Sequence, residues 1–532
     1  MYARKKRNKS GSVSVQIIKK IKSKSKVIES IGYSKDPDEI ERLLKKAHKR
    51  IKELEPTLFD SVEQEEQKLK FLPISNEQVI PIGDELFFGT IFDRIIGKKT
   101  IFQSVYKKND KHELFKALVI SRILYPGSKL YLSDYLFYFK KRYISDEAIY
   151  RLVDNLYKDE IKQKIEEAIY KDTLAKVGDK IVVSFYDVTT LYFESESEDD
   201  LRRIGFSKEG KLARPQIQLG LFTTLQGYPL SYEVYDGKKY EGHTLLEALL
   251  NFQKRFKLKN KPIAVADRGM LNNANIAFLE NNGYKYILGA KIKMLPSSIK
   301  DKIINLTFID DSVTHEINIH KAIKYKKDKQ THSFDISQRL ILSYSSKRAK
   351  KDKYLREKAL DKLKAKIEYS ANLTKNDLKL SHYAKYLDIT DNCKVEFKLN
   401  KDKVIQDSKL DGLKGYLTND TTLSHKDIIE HYQNLWHIEK AFRISKTDLQ
   451  IRPIHHRLEH RIKAHILISF VAYAIYKEFE VKTRDIKKEY QISYKILQDL
   501  IKHVFAIKFD DGEIFPIKLS PIQQKFYDAL HS

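Results

Sequence analysis

One cysteine, one tryptophan and three methionines in 532 residues leave little scope for thiol or thioether chemistry. The lone Cys393 excludes an internal disulfide, a cysteine-built zinc ribbon and an iron–sulfur cluster. Long apolar runs are also missing. The longest, ILISFVAYAIY from Ile466 to Tyr476, is too short to span a bilayer, so no membrane partner is expected. The amino terminus, MYARKKRNKSGS, is basic with no apolar core behind it, which excludes a signal peptide and predicts a soluble cytoplasmic protein. The chain has no Walker A loop, no Rossmann glycine fingerprint, no Ser/His/Asp signature, no internal repeat and no low-complexity linker. Acid is the scarcer charge: 72 Asp and Glu face 99 Lys and Arg, a net charge of +27. That excess favours counterion release from a phosphate backbone, with lysine-rich composition contributing to it.

What is present reads as several domains. Residues 1–60 form a small basic strand–strand–helix unit: Val13, Val15 and Ile17 alternate with polar residues, Lys26–Ile31 offers a second strand, and a helix starts at Asp36. The ten Lys and Arg among the first 26 residues, with no acid, read as a solvated tail or a DNA-contacting arm. Residues 61–178 are helical. There Lys140-Lys141-Arg142, Ser145 as N-cap and a periodic run behind it suit a DNA-reading helix pair or an ordinary bundle.

Strands begin in 179–294. IVVSFYDVTTLYFE, PQIQLGLFTT and PLSYEVYDG make an antiparallel meander, and helix, strand, helix, strand follow. That is the order of an RNase H-like α/β core. Residues 295–410 interrupt it as an insertion domain with a very basic helix, in which ten of the twenty residues from Lys347 to Lys366 are Lys or Arg. The core resumes over 411–476, with Ser424 capping a helix to about Lys446, and 477–532 forms a tail.

Three acids carry the chemistry. Asp187 and Asp267 each end an apolar, β-branched run and are expected at the tips of buried strands. Glu439 sits in the helix after Ser424, where Tyr432, Trp436, Glu439, Arg443 and Lys446 step by four, three, four and three and so share one face. Two strand-borne aspartates and a helix-borne glutamate in a basic chain suit metal-dependent phosphoryl transfer on DNA, with carboxylates sharing two Mg²⁺ ions. On this reading Arg443 and Lys446 face phosphates, Trp436 or Tyr432 stacks on a base, and Arg268 touches a phosphate or pairs with a carboxylate. Either aspartate alone would suit a turn or a helix cap, and the glutamate helix an ordinary ion-paired surface. His455, His456, His460 and His465, among Arg452, Arg457, Arg461 and Lys463, read as a basic DNA-facing helix rather than a zinc site. Glu194 and Glu241, near the inferred site, read as solvated turn residues or as assisting groups.

This pattern resembles the DDE transposases of bacterial insertion sequences. The second aspartate stands in an ADRG context, and Tyr432, Glu439 and Lys446 match that group's Tyr/Arg/Glu/Lys signature in type and spacing. Leu435 stands where the signature has arginine, and Arg443 could supply the missing charge. The resemblance spans about 180–290 and 411–465, and more loosely RILYPGSKL upstream. It implies Asp187, Asp267 and Glu439 as catalytic metal ligands, with Mg²⁺ or alternatively Mn²⁺. It also implies terminal inverted repeats and target DNA as substrates, a homodimer that synapses two ends, and a nucleoid-associated bacterial setting. A nuclease that cuts without joining, and a domesticated DNA-binding protein, are the competing expectations.

Overall fold

A computed structural model describes residues 1–21, 24–54, 74–97, 101, 110–138, 140, 142–178, 183–205, 214–258, 261–327, 330–369, 386–392 and 394–531. Cys393 and Lys141 lie outside them. The chain divides into two compact units, Met1–Val79 and Ile80–Ser532.

In the first unit, β1 (Tyr2–Arg7), β2 (Val13–Ile21) and β3 (Lys24–Ser34) form an antiparallel sheet with β2 central, and α1 (Pro37–Leu54) lies on one face. Val15 and Ile17 are fully buried against Ile40 and Ala47 of α1, as the alternation of β2 requires. The first strand corrects the expectation of a tail. Arg4-Lys5-Lys6-Arg7 has no apolar alternation, and its extended state comes from pairing with β2, from Tyr2 opposite Ile18 to Arg7 opposite Val13.

The second unit is built on a mixed sheet of eight strands. Its first three, β4 (Val183–Tyr192), β5 (Gln216–Thr223) and β6 (Pro229–Asp236), are the expected meander. Helix α2 (Thr244–Phe256) leads to β7 (Ile263–Ala266), and α3 (Asn273–Asn281), capped by Asn272, leads to β8 (Tyr286–Gly289). Both β7 and β8 run parallel to β4, so the order β6-β5-β4-β7-β8 is that of an RNase H-like core. Three further strands extend the same sheet beyond β8: β9 (Thr314–Lys327), β10 (Gln330–Tyr344) and β11 (Leu413–Thr418), in the order β8-β11-β10-β9. Between β10 and β11 runs the basic helix α4 (Ser346–Tyr369).

Alternate residues of the central strands enter two different cores. Phe185, Val265 and Ile287 face one helical layer, while Tyr186, Ala264 and Leu288 face the layer of α2 and α3. The first layer is dominated by α5 (Glu459–Lys482), buried almost continuously from Ile462 to Glu480. This is where ILISFVAYAIY goes: an all-round apolar helix inside a protein core. Among the described residues, no helix is long and apolar enough to cross a membrane. The charges of α5 are paired, Glu478 with Arg94 (2.8 Å) and Lys176 (2.9 Å), and Lys477 with Glu480 (3.1 Å). Residues beyond Lys477 also join this layer, where Tyr494 donates its hydroxyl hydrogen bond to the Ile123 carbonyl at 2.7 Å.

Candidate active site

Strands β4 and β7 are parallel and in register, with Tyr186 beside Ala266 as their last pair. Asp187 and Asp267 are each the next residue, so they stand side by side on neighbouring strands about 4.8 Å apart. Both follow the parity of Phe185 and Val265 and therefore face the layer of α5. Asp267 directly follows the end of β7, as expected. Asp187 does not end its strand: β4 continues to Tyr192 in its pairing with β5. It is the partner strand β7 that stops, and this opens the sheet beside Asp187.

The glutamate comes from the same layer. Ser424 caps the helix His425–Gln433 with a reciprocal bond to Asp427, as its sequence predicts. The continuous helix to Lys446 is not found. Asn434 and Leu435 interrupt it, a second helix covers Trp436–Arg443, and a wider π-type turn covers Ile444–Asp448. Leu435 is 8% exposed and packs into the core, and burying that side chain competes with keeping one straight amphipathic face.

Despite the break, the side chains converge. Asp187, Asp267, Arg268, Tyr432, Trp436 and Glu439 line one cavity of about 940 Å³. Asp187 and Glu439 also line an adjoining cavity with Arg443, Lys446 and Arg452. All eight site residues expected from sequence thus meet in one region. Glu439 is exposed, and no hydrogen bond or ion pair joins it to a described residue, so the i,i+4 pair with Arg443 does not form. Its neighbour Lys440 is anchored instead on Glu480 (2.6 Å), which fixes this helix to α5.

Tyr432 has a more specific place than expected. Its hydroxyl donates to Asp267 Oδ1 at 2.8 Å. Burial, and then the carboxylate of Asp267, push its phenol well above the ordinary value, so it remains a donor. Trp436 is 49% exposed, with its ring stacked on His437 at 3.8 Å between centroids.

The donor set suits a hard, oxygen-preferring ion. Among the described residues, no three His, Cys, Asp or Glu side chains are placed to hold one metal ion together. The arrangement offers pairs: Asp187 with Asp267 in the larger cavity, and Asp187 with Glu439 where the two cavities adjoin. Mg²⁺ keeps several waters and is commonly held by one or two carboxylates, so such pairs fit it.

The family model of the transposase DDE domain matches residues 178–475. The chain belongs to the DDE transposase family. It is accordingly a DNA transposase. No curated protein matches the chain. Among solved structures, a piggyBac transposase synaptic complex with hairpin DNA shares 10% identity, covering 79% of this chain and 78% of that one at a TM-score of 0.36. A Mos1 mariner paired-end complex with Mn shares 12% identity, covering 37% of this chain and 71% of that one at a TM-score of 0.15.

Sequence reasoning did not point to several residues of this candidate site. Lys291, Lys293, Arg348 and Lys414 also line the larger cavity. The first two follow β8 as Arg268 follows β7, and basic residues after a core strand were the available signal. Gly289 left no signal at all, although a Cβ there would lie 2.1 Å from the Tyr432 hydroxyl. Arg452 was read as part of a DNA-facing helix, but 452–458 is not helical, and its guanidinium lies over the Tyr192 ring at 5.4 Å. The rest of that basic segment is also corrected. His460 and Arg461 bind Asp154 (3.0 and 2.6 Å), Lys463 pairs with Glu459 (2.7 Å), and His465 is buried. Once Ile462 and its successors are drawn into the core, His465 is withdrawn from the surface, whereas His455 and Arg457 precede the helix and stay exposed. Upstream, Ser145 caps its helix as expected, while Lys140 is engaged by Asp84 (2.5 Å) and the Pro81 carbonyl (2.6 Å).

Proposed function

We propose that this transposase cleaves DNA at the terminal inverted repeats of an insertion sequence and joins the freed 3′-hydroxyl ends to target DNA. The register that places Asp187 beside Asp267, with Glu439 lining the same cavity, is the observation that carries this reading. Asp187, Asp267 and Glu439 hold Mg²⁺, for which Mn²⁺ can substitute. Such ions, held by these carboxylates, would supply Lewis-acid activation of the attacking oxygen and charge stabilisation of the leaving oxygen. Asp187 belongs to both carboxylate pairs and would contribute to either of them. Tyr432 orients Asp267, and the Lys440–Glu480 pair holds the helix that carries Glu439. Arg443 and Lys446 bind the phosphates of the cut end, with Arg443 supplying charge that Leu435 does not. Trp436 stacks on an unpaired base, and Arg268 binds a phosphate beside Asp267. Two copies of the chain synapse the two ends as a homodimer.

Asp187→Asn, Asp267→Asn and Glu439→Gln test the assignment. Each removes a ligand worth several kcal/mol, so cleavage and joining should fall about 10³-fold or more. End binding, which rests on the basic surface, should persist. Near-normal cleavage in Mg²⁺ by any one variant would remove that residue from the site.

A further inference from the structure

Strands β12 (Phe505–Lys508) and β13 (Ile514–Pro516) form an antiparallel hairpin, with Ala506 opposite Pro516, Ile507 opposite Phe515 and Lys508 opposite Ile514. Two more bonds extend the ladder, from Ile517 N to the Phe505 carbonyl and from Phe509 N to the Glu513 carbonyl, each 2.9 Å. Residues opposite each other share a face, so Phe505, Ile507, Phe509, Phe515 and Ile517 lie on one side. Ala506, on the other side, is fully buried, which makes the five-residue side the outer one. There Phe509, Phe515 and Ile517 are 40%, 53% and 45% exposed, and Phe505 and Ile507 are partly exposed. Among the described residues, none of the five joins an apolar core cluster. A contiguous apolar face left in water marks a contact surface.

We propose that this face is the contact between two copies of the chain, packed hairpin on hairpin about a two-fold axis. The proposal rests on the homodimer read above and supplies its surface. Three observations favour a second copy as the occupant. The first is the polarity of the face. Glu513, opposite Phe509, stands at the tip beside Asp510 and Asp511, all three exposed. At the foot are the exposed Lys518 and His503, whose ring lies 6.2 Å from Phe505. A two-fold through the Ile507–Phe515 row sets each tip over the other copy's foot. Acid then meets base while the apolar rows meet each other.

The second is the hairpin's free edge. The bonds of Phe509 and Ile517 turn the odd-numbered residues of β13 towards β12, leaving Ile514 and Pro516 at the edge. Pro516 has no N–H to offer, so strand addition is blocked and face packing remains. The third is size. Five side chains of this exposure supply roughly 400 Å² per copy, about half of what a standard stable interface takes from each partner. Such a contact suits identical copies that meet on demand rather than a permanent complex. It is weak between free copies, with a Kd in the micromolar range or above, and tightens when two DNA ends hold the copies close.

The test reads self-association of the full-length chain by sedimentation equilibrium, without DNA or metal ions. Wild type should pass from monomer to dimer as its concentration rises to about 100 μM. Phe515→Glu and Ile517→Glu should each raise the dimer Kd at least tenfold, a step of about 1.4 kcal/mol, with an unchanged melting temperature, since both side chains are exposed in the monomer. Glu513→Lys and Lys518→Glu each repel their own kind. Mixed together, they should dimerise about threefold more tightly than either does alone. A wild-type chain that stays monomeric, a dimer unaffected by Phe515→Glu, a mixture no tighter than its components, or a lower melting temperature with unchanged association would each overturn the proposal. Asp187→Asn should associate as wild type does. A dimer that persists in Phe515→Glu keeps the homodimer and removes this surface from it, so the two readings fail separately.

Discussion

Gly289 ends β8 on the face shared by Asp187 and Asp267, where the Tyr432 ring and hydroxyl pass over its backbone. A methyl group there cannot fit without moving Tyr432, and Tyr432 is the donor that orients Asp267. If Asp267 is the metal ligand proposed above, Gly289→Ala should reduce strand cleavage about 10- to 100-fold, the usual cost of disturbing a group that orients such a ligand. Tyr432→Phe should produce a similar loss while lowering stability by only about 1 kcal/mol, since one hydrogen bond is removed and the ring stays. Cleavage rates and melting temperatures of both variants check this. Wild-type cleavage by Tyr432→Phe would leave the aromatic ring, and not its hydroxyl, as the relevant group. The signature tyrosine was visible in the sequence, but its partner was not: spacing along a helix says nothing about which strand end the helix will cross.

At the scale of elements, α5 ties the catalytic layer to the upstream helices through a buried basic cluster. His465 Nε2 donates to the Ile451 carbonyl at 2.9 Å, which leaves Nδ1 to accept from Lys129 Nζ at 3.1 Å; this tautomer follows from the bonding pattern. Arg122 donates to the adjacent Gln450 carbonyl at 3.4 Å, and the His456 ring lies 5.6 Å from His465. Lys129, Arg122, Arg461 and His455 are the charges that face His456. Burial, and then Lys129, depress His456 from 6.5 to about 4 and hold His465 well below its ordinary value. A base depressed in the fold binds fewer protons there than in the unfolded chain, so its contribution is complete above about pH 6.5 and declines as pH falls towards 4. The melting temperature should accordingly drop between pH 7 and 5, and His456→Gln should flatten that drop. An unchanged pH profile in His456→Gln would place the acid sensitivity elsewhere. The sequence showed histidines among cations and suggested DNA. Burial removes His465 from that reading, because the apolar side chains interleaved with it are what the core takes up, while His455 and Arg457 stay exposed.

Across the whole molecule, the +27 charge is partly neutralised inside and partly displayed. Helix α4 displays it: Lys350, Lys351, Lys353 and Lys358 are exposed, whereas Arg356 pairs with Asp411. Arg348, near the start of the helix, lines the cavity of the candidate site, so α4 leads away from it along an exposed basic surface. Replacing those four lysines by alanine should flatten the salt dependence of DNA affinity by about 0.9 in log–log slope for each phosphate that is no longer neutralised. Binding isotherms at several salt concentrations measure this, and an unchanged slope would make α4 a solvated face.

Read alone, the sequence determined the strand-rich core, the three acids, the capped glutamate helix and the basic excess, because alternation, capping and charge are local properties. Tertiary structure decided the rest. Pairing between β4 and β7 brought Asp187 beside Asp267, and pairing with β2 turned a charged tail into a strand. Core packing of Leu435 broke the glutamate helix, yet left Tyr432 on Asp267 and Glu439 at the same cavity. Lys291, Lys293 and Lys414 became part of the site only because β8 and β11 are neighbours in the sheet. Such pairings join residues far apart in the chain, and their energy lies in strand association and burial that no local pattern encodes.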